Sequence, residues 1–303
     1  MRLDKPAVCA LLRAAFEVLG LESNVTSSQQ EYSVALSELK GRWALILGAS
    51  SGFGAATALE LARYGMNIFG IHLDRRSAAQ RVRDLITEIE QQGVQVHYLN
   101  MNIARDDKRA EALATIKNVL ASKPNGPQTL HLVMHSVAFG SLGPLVSPRS
   151  GEAITISQLE GTLDVMAHSL VYWVRELWCA GLLARGSRVF SMTSSGSSRA
   201  FEGYGAVSAA KAVLESHTRQ LALELGRHGV MVNCIMAGVT DTPALRKIPG
   251  YENLMAHALQ RNPGGRLTTP EDVAKTIRAL SDPEVCWING AVIAVDGGEF
   301  IAS

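Results

Sequence analysis

Tyr204 and Lys211 stand seven residues apart, just after a hydroxyl-bearing segment, Ser191-Met192-Thr193-Ser194-Ser195-Gly196. A phenol that exchanges a proton near neutral pH must leave its ordinary pKa of about 10, and a nearby ammonium favours the phenolate. Lys211 has the chemistry to supply that charge. On a helix seven residues make two turns, so both side chains share a face without touching, and a bound group can sit between them. Thr193 and Ser194 add donors for an oxygen that gains charge during a reaction. Tyr204, Lys211, Thr193 and Ser194 are therefore the candidate catalytic set, and its chemistry is proton management. Taken alone, Tyr204 reads more readily as a buried aromatic with a satisfied hydroxyl than as a catalytic phenol.

A second constellation is Gly48-Ala49-Ser50-Ser51-Gly52-Phe53-Gly54, placed between an apolar run and an Ala- and Leu-rich helix. Glycine permits the tight turn and close backbone approach, and free N–H groups at the helix start face an anion. Gly48, Ser50, Ser51, Gly52, Phe53 and Gly54 are thus expected to cradle a dinucleotide pyrophosphate. Asp74 lies twenty residues beyond Gly54, the distance at which an acid takes the ribose diol of NAD. Arg75 and Arg76 follow at once, and two guanidinium groups can hold the 2′-phosphate of NADP. NADP(H) is favoured, with NAD(H) as the alternative.

The elements that must position these residues are short apolar runs alternating with helical patterns. The runs are 43–47, 67–73, 94–100, 129–134, 187–192, 230–235 and 291–295, continuous as for strands covered on both faces. Helical spacing spans 55–64, 77–92, 106–121, 156–183, 205–227 and 270–280. The expected fold is α/β, a doubly wound Rossmann fold on a seven-stranded parallel sheet. Residues 1–40 read as an N-terminal helical extension, with an amphipathic helix over 7–19, and residues 41–303 as the dinucleotide-binding domain.

Of 303 residues 47% are hydrophobic and 19% charged, and the net charge of +1 offers no electrostatic reason for a nucleic-acid or anionic-membrane partner. Cys9, Cys179, Cys234 and Cys286 lie far apart, which argues against a zinc site or a disulfide scaffold and for a reducing, cytoplasmic location. His135, His168 and His217 read as structural, and no metal is expected. No apolar stretch near the N-terminus resembles a signal peptide or a membrane span.

The G-x-x-x-G-x-G spacing, with Val232-Asn233, Ala237-Gly238 and Val295-Asp296-Gly297-Gly298 in order behind it, resembles the short-chain dehydrogenase/reductase family over residues 41–303. Ordinary members place the lysine four residues after the tyrosine, where this chain has Ser208. The wider spacing to Lys211 resembles the enoyl-acyl-carrier-protein reductase branch, as do His135-Ser136-Val137-Ala138-Phe139 and the segment 237–245. Ser194 stands where many enoyl reductases carry a second tyrosine, and Met166 where many ketoreductases carry an asparagine. The resemblance implies further cofactor contacts from His72, at the family's acidic discriminator position, and from Asn102, Ile103, Ser136, Val137, Ala138, Gly238, Thr240 and Thr242. It implies a substrate-covering helix within about 239–263 and a homotetramer built through long helices. It implies an NAD(P)H-dependent reduction of the C=C bond of an enoyl thioester. Carbonyl reduction of a 3-oxoacyl type is the alternative, and a nucleotide-binding module without turnover ranks below both.

Overall fold

A computed structural model of the chain describes residues 39–122 and 128–302; the expected N-terminal helix lies outside them. Leu39–Ser303 forms one compact unit. Its strands are β1 Trp43–Leu47, β2 Asn67–His72, β3 Val96–Asn100, β4 Leu130–His135, β5 Arg188–Thr193, β6 Met231–Ala237 and β7 Val292–Val295. They make one sheet in the order β3-β2-β1-β4-β5-β6-β7, every pair parallel. The helices are α1 Gly52–Arg63, α2 Ala79–Glu90, α3 Asp106–Ala121, α4 Ile156–Leu163, α5 Ser169–Cys179, α6 Gly205–Gly226, α7 Tyr251–Arg261 and α8 Pro270–Leu280.

The alternation of side chains along a strand divides the core into two layers. Trp43, Leu45 and Leu47 of β1 pack with Phe69, Trp173 and Val189 on one side of the sheet. Ala44 and Ile46 pack with Leu61, Ile68 and Phe190 on the other. The central strands β1, β2, β4 and β5 are buried at every position because both faces are covered. The edges depart from the expected continuous burial: β3 is half-buried, and β7 exposes Val292 and Ala294 on one face. On the second layer α1 is tied to α8 by Arg278, whose guanidinium donates to Glu60 at 3.0 Å and lies 4.5 Å from the Tyr64 ring centroid.

The single helix expected over 156–183 is broken. A capping box of Thr155 and Gln158 starts α4, and the turn Asp164–His168 is a π-helix before α5 resumes. The cause is a side chain in the ladder: Ser169 Oγ donates to Val165 O at 2.8 Å and accepts from His135 Nε2 at 2.8 Å. The C-terminal overshoot has a simpler reason, since Gly181 adopts φ +71° and ends the helix. The first helix starts three residues earlier than expected, at Gly52, so glycine-loop residues form its first turn. No helix among the described residues is long and apolar enough to cross a membrane.

Two buried histidines govern stability in acid. Burial brings His131 down to about 4, and burial with the nearby Lys211 charge brings His135 down to about 3. Both folded values lie below the unfolded value near 6.5, so the unfolded chain binds the extra protons as the pH falls below about 6.5. Stability is expected to drop from there by up to about 1.4 kcal/mol per pH unit for each histidine, until the pH passes the folded values. Urea unfolding from pH 7 to 4.5 should show this slope, reduced by about half in His135→Asn. An unchanged slope in a variant lacking both imidazoles would disprove the assignment.

Candidate active site

The strand order reverses between β1 and β4, which opens a crevice at the carboxyl ends of these strands. Gly48 leaves β1 with φ +93°, and its N–H and that of Ala49 donate to Ile71 O at 2.8 and 3.0 Å. A Cβ on Gly48 would strike the Ser136 carbonyl oxygen, and one on Gly54 would strike the Gly48 carbonyl oxygen. The loop is therefore packed backbone against backbone. Ser51 precedes α1 in an extended conformation, its side chain makes no capping bond, and the first turn holds no acidic residue. The first N–H groups of α1 thus point into the crevice with no side-chain carboxylate competing for them, and this cradle fits a pyrophosphate.

The crevice encloses about 760 Å³. Among the expected cofactor residues, Gly48, Ser50, Ser51, Gly52, Phe53, His72, Asp74, Arg75, Asn102, Ile103, Ser136, Val137, Ala138 and Thr242 line it. Gly54, Arg76, Gly238, Thr240, Tyr204 and Lys211 do not. Gly54 acts by packing, and Thr240 turns its hydroxyl back to Gly238 O at 2.9 Å. Asn102 uses its side-chain oxygen to accept from Ala104 N at 2.9 Å.

At the outer end Asp74 is already engaged. Its carboxylate lies 2.9 Å from His72 Nδ1 and 3.3 Å from Arg81 Nη2, while Asn100 bonds its backbone N–H and carbonyl at 3.1 and 3.0 Å. Burial would raise its pKa, but hydrogen bonds from Ser50 and His72 and the charge of Arg81 hold it below the ordinary value. The expected pair of guanidinium groups is also different. Arg76 opens a 3-10 turn outside the crevice, whereas Arg81, on α2, joins Arg75 in lining it. Adjacent residues splay apart where a helical turn begins, and the second cation arrives from the following helix.

The catalytic candidates gather at the end of β5 and the start of α6. Tyr204 immediately precedes α6, half-buried and edge-on to Phe201 at 6.0 Å, and Gly196 leaves room for its ring. Burial raises the phenol's pKa, and a hydrogen bond with Ser194 opposes the rise. The expected lowering by Lys211 is absent. Lys211 is buried, and its Nζ donates to Met192 O at 2.6 Å, so its charge is directed at β5 rather than at the phenol. Thr193 also departs from expectation: it is buried, and its hydroxyl donates to Glu215 Oε1 at 2.7 Å. Alternation along β5 explains this, because Ser191 and Thr193 both face α6 while Ser194, past the strand end, turns to Tyr204. Ser208, at the four-residue position, donates its hydroxyl to Gly196 O. Met166 is buried within the π turn.

The sequence reading overlooked Arg81 and Glu215; the signal for each was helical spacing, one turn from the crevice residue Ala78 and one turn from Lys211. His168 and His217 meet, Nδ1 to Nε2, at 3.0 Å, yet the described residues contain no group of three potential metal ligands. The segment 239–263 carries α7, as the resemblance implied, and the C-terminal turn anchors both its ends. Glu299 accepts from Val239 N at 2.9 Å and lies 3.4 Å from Arg261 Nη2, and Asn262 donates to Asp296 O at 2.8 Å.

The family model described as enoyl-(acyl carrier protein) reductase matches residues 48–299. A 3-oxoacyl-(acyl-carrier-protein) reductase from Pseudomonas aeruginosa is 28% identical over 87% of this chain and 99% of its own. The NADH-dependent enoyl-(acyl-carrier-protein) reductase from Buchnera aphidicola is 28% identical over 84% and 93%. The crystal structure of enoyl-(acyl-carrier-protein) reductase (NADH) from Aquifex aeolicus superposes with a TM-score of 0.75 at 25% identity, covering 88% of this chain and 98% of that one.

Gly48→Ala tests the cradle, since alanine at φ +93° is strained and its methyl meets the Ser136 carbonyl. Strain of about 1–3 kcal/mol is expected to weaken dinucleotide binding roughly tenfold or more in a fluorescence titration. Binding at wild-type strength would show that the loop does not hold the pyrophosphate.

Proposed function

The chain belongs to the short-chain dehydrogenase/reductase family of NAD(P)-dependent oxidoreductases, and from that premise we propose that it reduces the C=C bond of an enoyl thioester with NADPH. The observation that carries this reading is the arrangement on α6. Tyr204 is hydrogen-bonded to Ser194 just before the helix, Lys211 follows two turns along, and the four-residue position belongs to Ser208, whose hydroxyl is used inside the protein. Buried Met166, in place of a polar relay residue, agrees with it.

When bound, the reduced dinucleotide supplies the hydride, which goes to the β-carbon of the thioester. Tyr204 and Ser194 present hydroxyls to the oxygen that becomes enolate. Burial keeps the Tyr204 phenol protonated at neutral pH, the form needed to donate in the reductive direction. Lys211, whose Nζ donates to Met192 O, would supply the ammonium on the ribose side of a bound dinucleotide. The segment 239–263, tied down at both its ends by the C-terminal turn, carries α7 over the site and excludes water.

The preference for NADPH rests on charge. Arg75, Arg81 and Lys247 line the crevice against one carboxylate, Asp74, and that carboxylate is already paired with His72 and Arg81. A phosphate suits such a surplus of cations better than a neutral diol does. We also infer a homo-oligomer, because Leu223 on α6 and Trp287 with Val292 at the β7 edge leave large apolar groups exposed. Cys179, Cys234 and Cys286 are free thiols, which suits a reducing cytoplasm.

Two experiments test these assignments. NADPH oxidation is expected with crotonyl thioester and not with acetoacetyl thioester, and Tyr204→Phe should lower kcat by about 100-fold or more. Oxidation with the ketone alone would move the activity to carbonyl reduction, and undiminished turnover in Tyr204→Phe would remove that residue from the mechanism. For the nucleotide, the double variant Arg75→Ser/Arg81→Ser should raise KM for NADPH about tenfold or more, each lost charge-assisted bond contributing about 1.5–3 kcal/mol, while KM for NADH stays nearly constant. Equal rises for both nucleotides would refute a 2′-phosphate site.

A further inference from the structure

Between β5 and α6 runs a row of polar contacts that the chemistry above leaves unexplained. Ser191 Oγ and Thr218 Oγ1 are 2.8 Å apart, Thr193 Oγ1 donates to Glu215 Oε1 at 2.7 Å, and Lys211 Nζ donates to Met192 O at 2.6 Å. Glu215 follows Lys211 by one turn of α6, so its carboxylate shares the lysine's face of the helix.

The groups acting on buried Lys211 come from every element around it: His135 of β4, Met192 of β5, Cys234 of β6, and Glu215 of its own helix. Burial brings the lysine down to about 8, and the charges of Cys234 and Glu215 oppose that fall. Cys234 acts this way only as a thiolate. Its own burial pushes the thiol up to about 11, so it is uncharged where Lys211 titrates. His135 is neutral there as well, brought to about 3. Glu215 is therefore the one anion in this set that faces the lysine.

We propose that Glu215 is a positioning residue of the active site: its carboxylate keeps Lys211 in the ammonium form inside the protein and, through Thr193, fixes the end of β5 that carries Ser194. The inference deepens the reading of Lys211 as the ribose-side ammonium and rests on it. It gives a use to two contacts that place no atom on the substrate. Without the carboxylate, the lysine would approach the dinucleotide as a neutral amine over part of the working pH range.

The test is a direct titration of the lysine in the full chain. With only eight lysines in the sequence, 13Cε labelling gives a short set of NMR signals, and the Lys211 signal is the one lost in Lys211→Met. Glu215→Gln keeps the length of the side chain and an oxygen for Thr193 but removes the charge. Its Lys211 midpoint is expected about one to three pH units below that of the wild type, the usual effect of losing an adjacent opposite charge. Thr193→Val, which keeps the charge, should leave the midpoint near the wild-type value. Equal midpoints in the wild type and Glu215→Gln overturn the proposal. If Glu215→Gln does not fold, the wild type decides: the 13Cδ signal of Glu215 must move at the Lys211 midpoint, and a signal that stays still there overturns it. Because the titration needs neither dinucleotide nor turnover, failure to reduce any thioester would defeat the proposed function while leaving the Glu215 result to stand on its own. Where turnover is present, the alkaline limb of kcat/KM should shift with the NMR midpoint.

Discussion

Two backbones meet at the floor of the site without space for a side chain, and much else follows from it. Gly48, at the end of β1, lies against the Ser136 carbonyl at the end of β4, with no room for even a methyl group between them. This contact sits at the point where the strand order reverses, so it sets the floor of the crevice and the start of α1 together. The N–H groups of that helix can face a pyrophosphate because glycines bring the chain round sharply enough to leave them uncovered. Had the loop carried side chains, β1 and β4 could not pair in register and still open onto a phosphate.

A second constraint governs the chemistry beyond the cradle. The space between β5 and α6 is occupied by buried hydroxyls and a buried ammonium together with the half-buried carboxylate of Glu215, each joined to a partner. Buried polar groups persist only when bonded, so this layer has little freedom to rearrange one member at a time. The same burial that would neutralise Lys211 strengthens its attraction to Glu215, and burial raises the Tyr204 phenol, which keeps its proton. Shielding from solvent favours the neutral form of both groups, lowering the lysine and raising the phenol, and Glu215 opposes it only at the lysine.

At the nucleotide end the controlling interaction is also a pairing. Asp74 alone would repel a phosphate, but His72 and Arg81 take its oxygens, and Ser50 ties it to the glycine loop. An acid that in isolation signals a ribose diol becomes, in its surroundings, a strut that holds cations in place. Residue identity at one position is a poor guide to cofactor choice when a neighbour in space cancels its charge.

The sheet, its seven strands and the glycine cradle were legible in the amino-acid sequence because each depends on local pattern: apolar runs long enough for a covered strand, and glycines at a strand-to-helix turn. The spacing of Tyr204 and Lys211 was likewise readable, since helical periodicity alone puts them on one face. What no local pattern could supply was the direction of side chains relative to other elements. Thr193 and Ser194 are chemically alike and adjacent, yet the pleat of β5 turns the first towards Glu215 and leaves the second bonded to Tyr204. Arg81 entered the crevice and Arg76 left it because a helix starts between Arg75 and Arg81. The π turn at 164–168 required His135, a strand residue far along the chain, to bond Ser169. The sequence by itself determined which chemistry was available and which fold would carry it, because period and composition act through neighbours in the chain. Only the tertiary structure decided which hydroxyl turns to Glu215, which arginine lines the crevice and what partners the lysine, because burial and pairing act through neighbours in space.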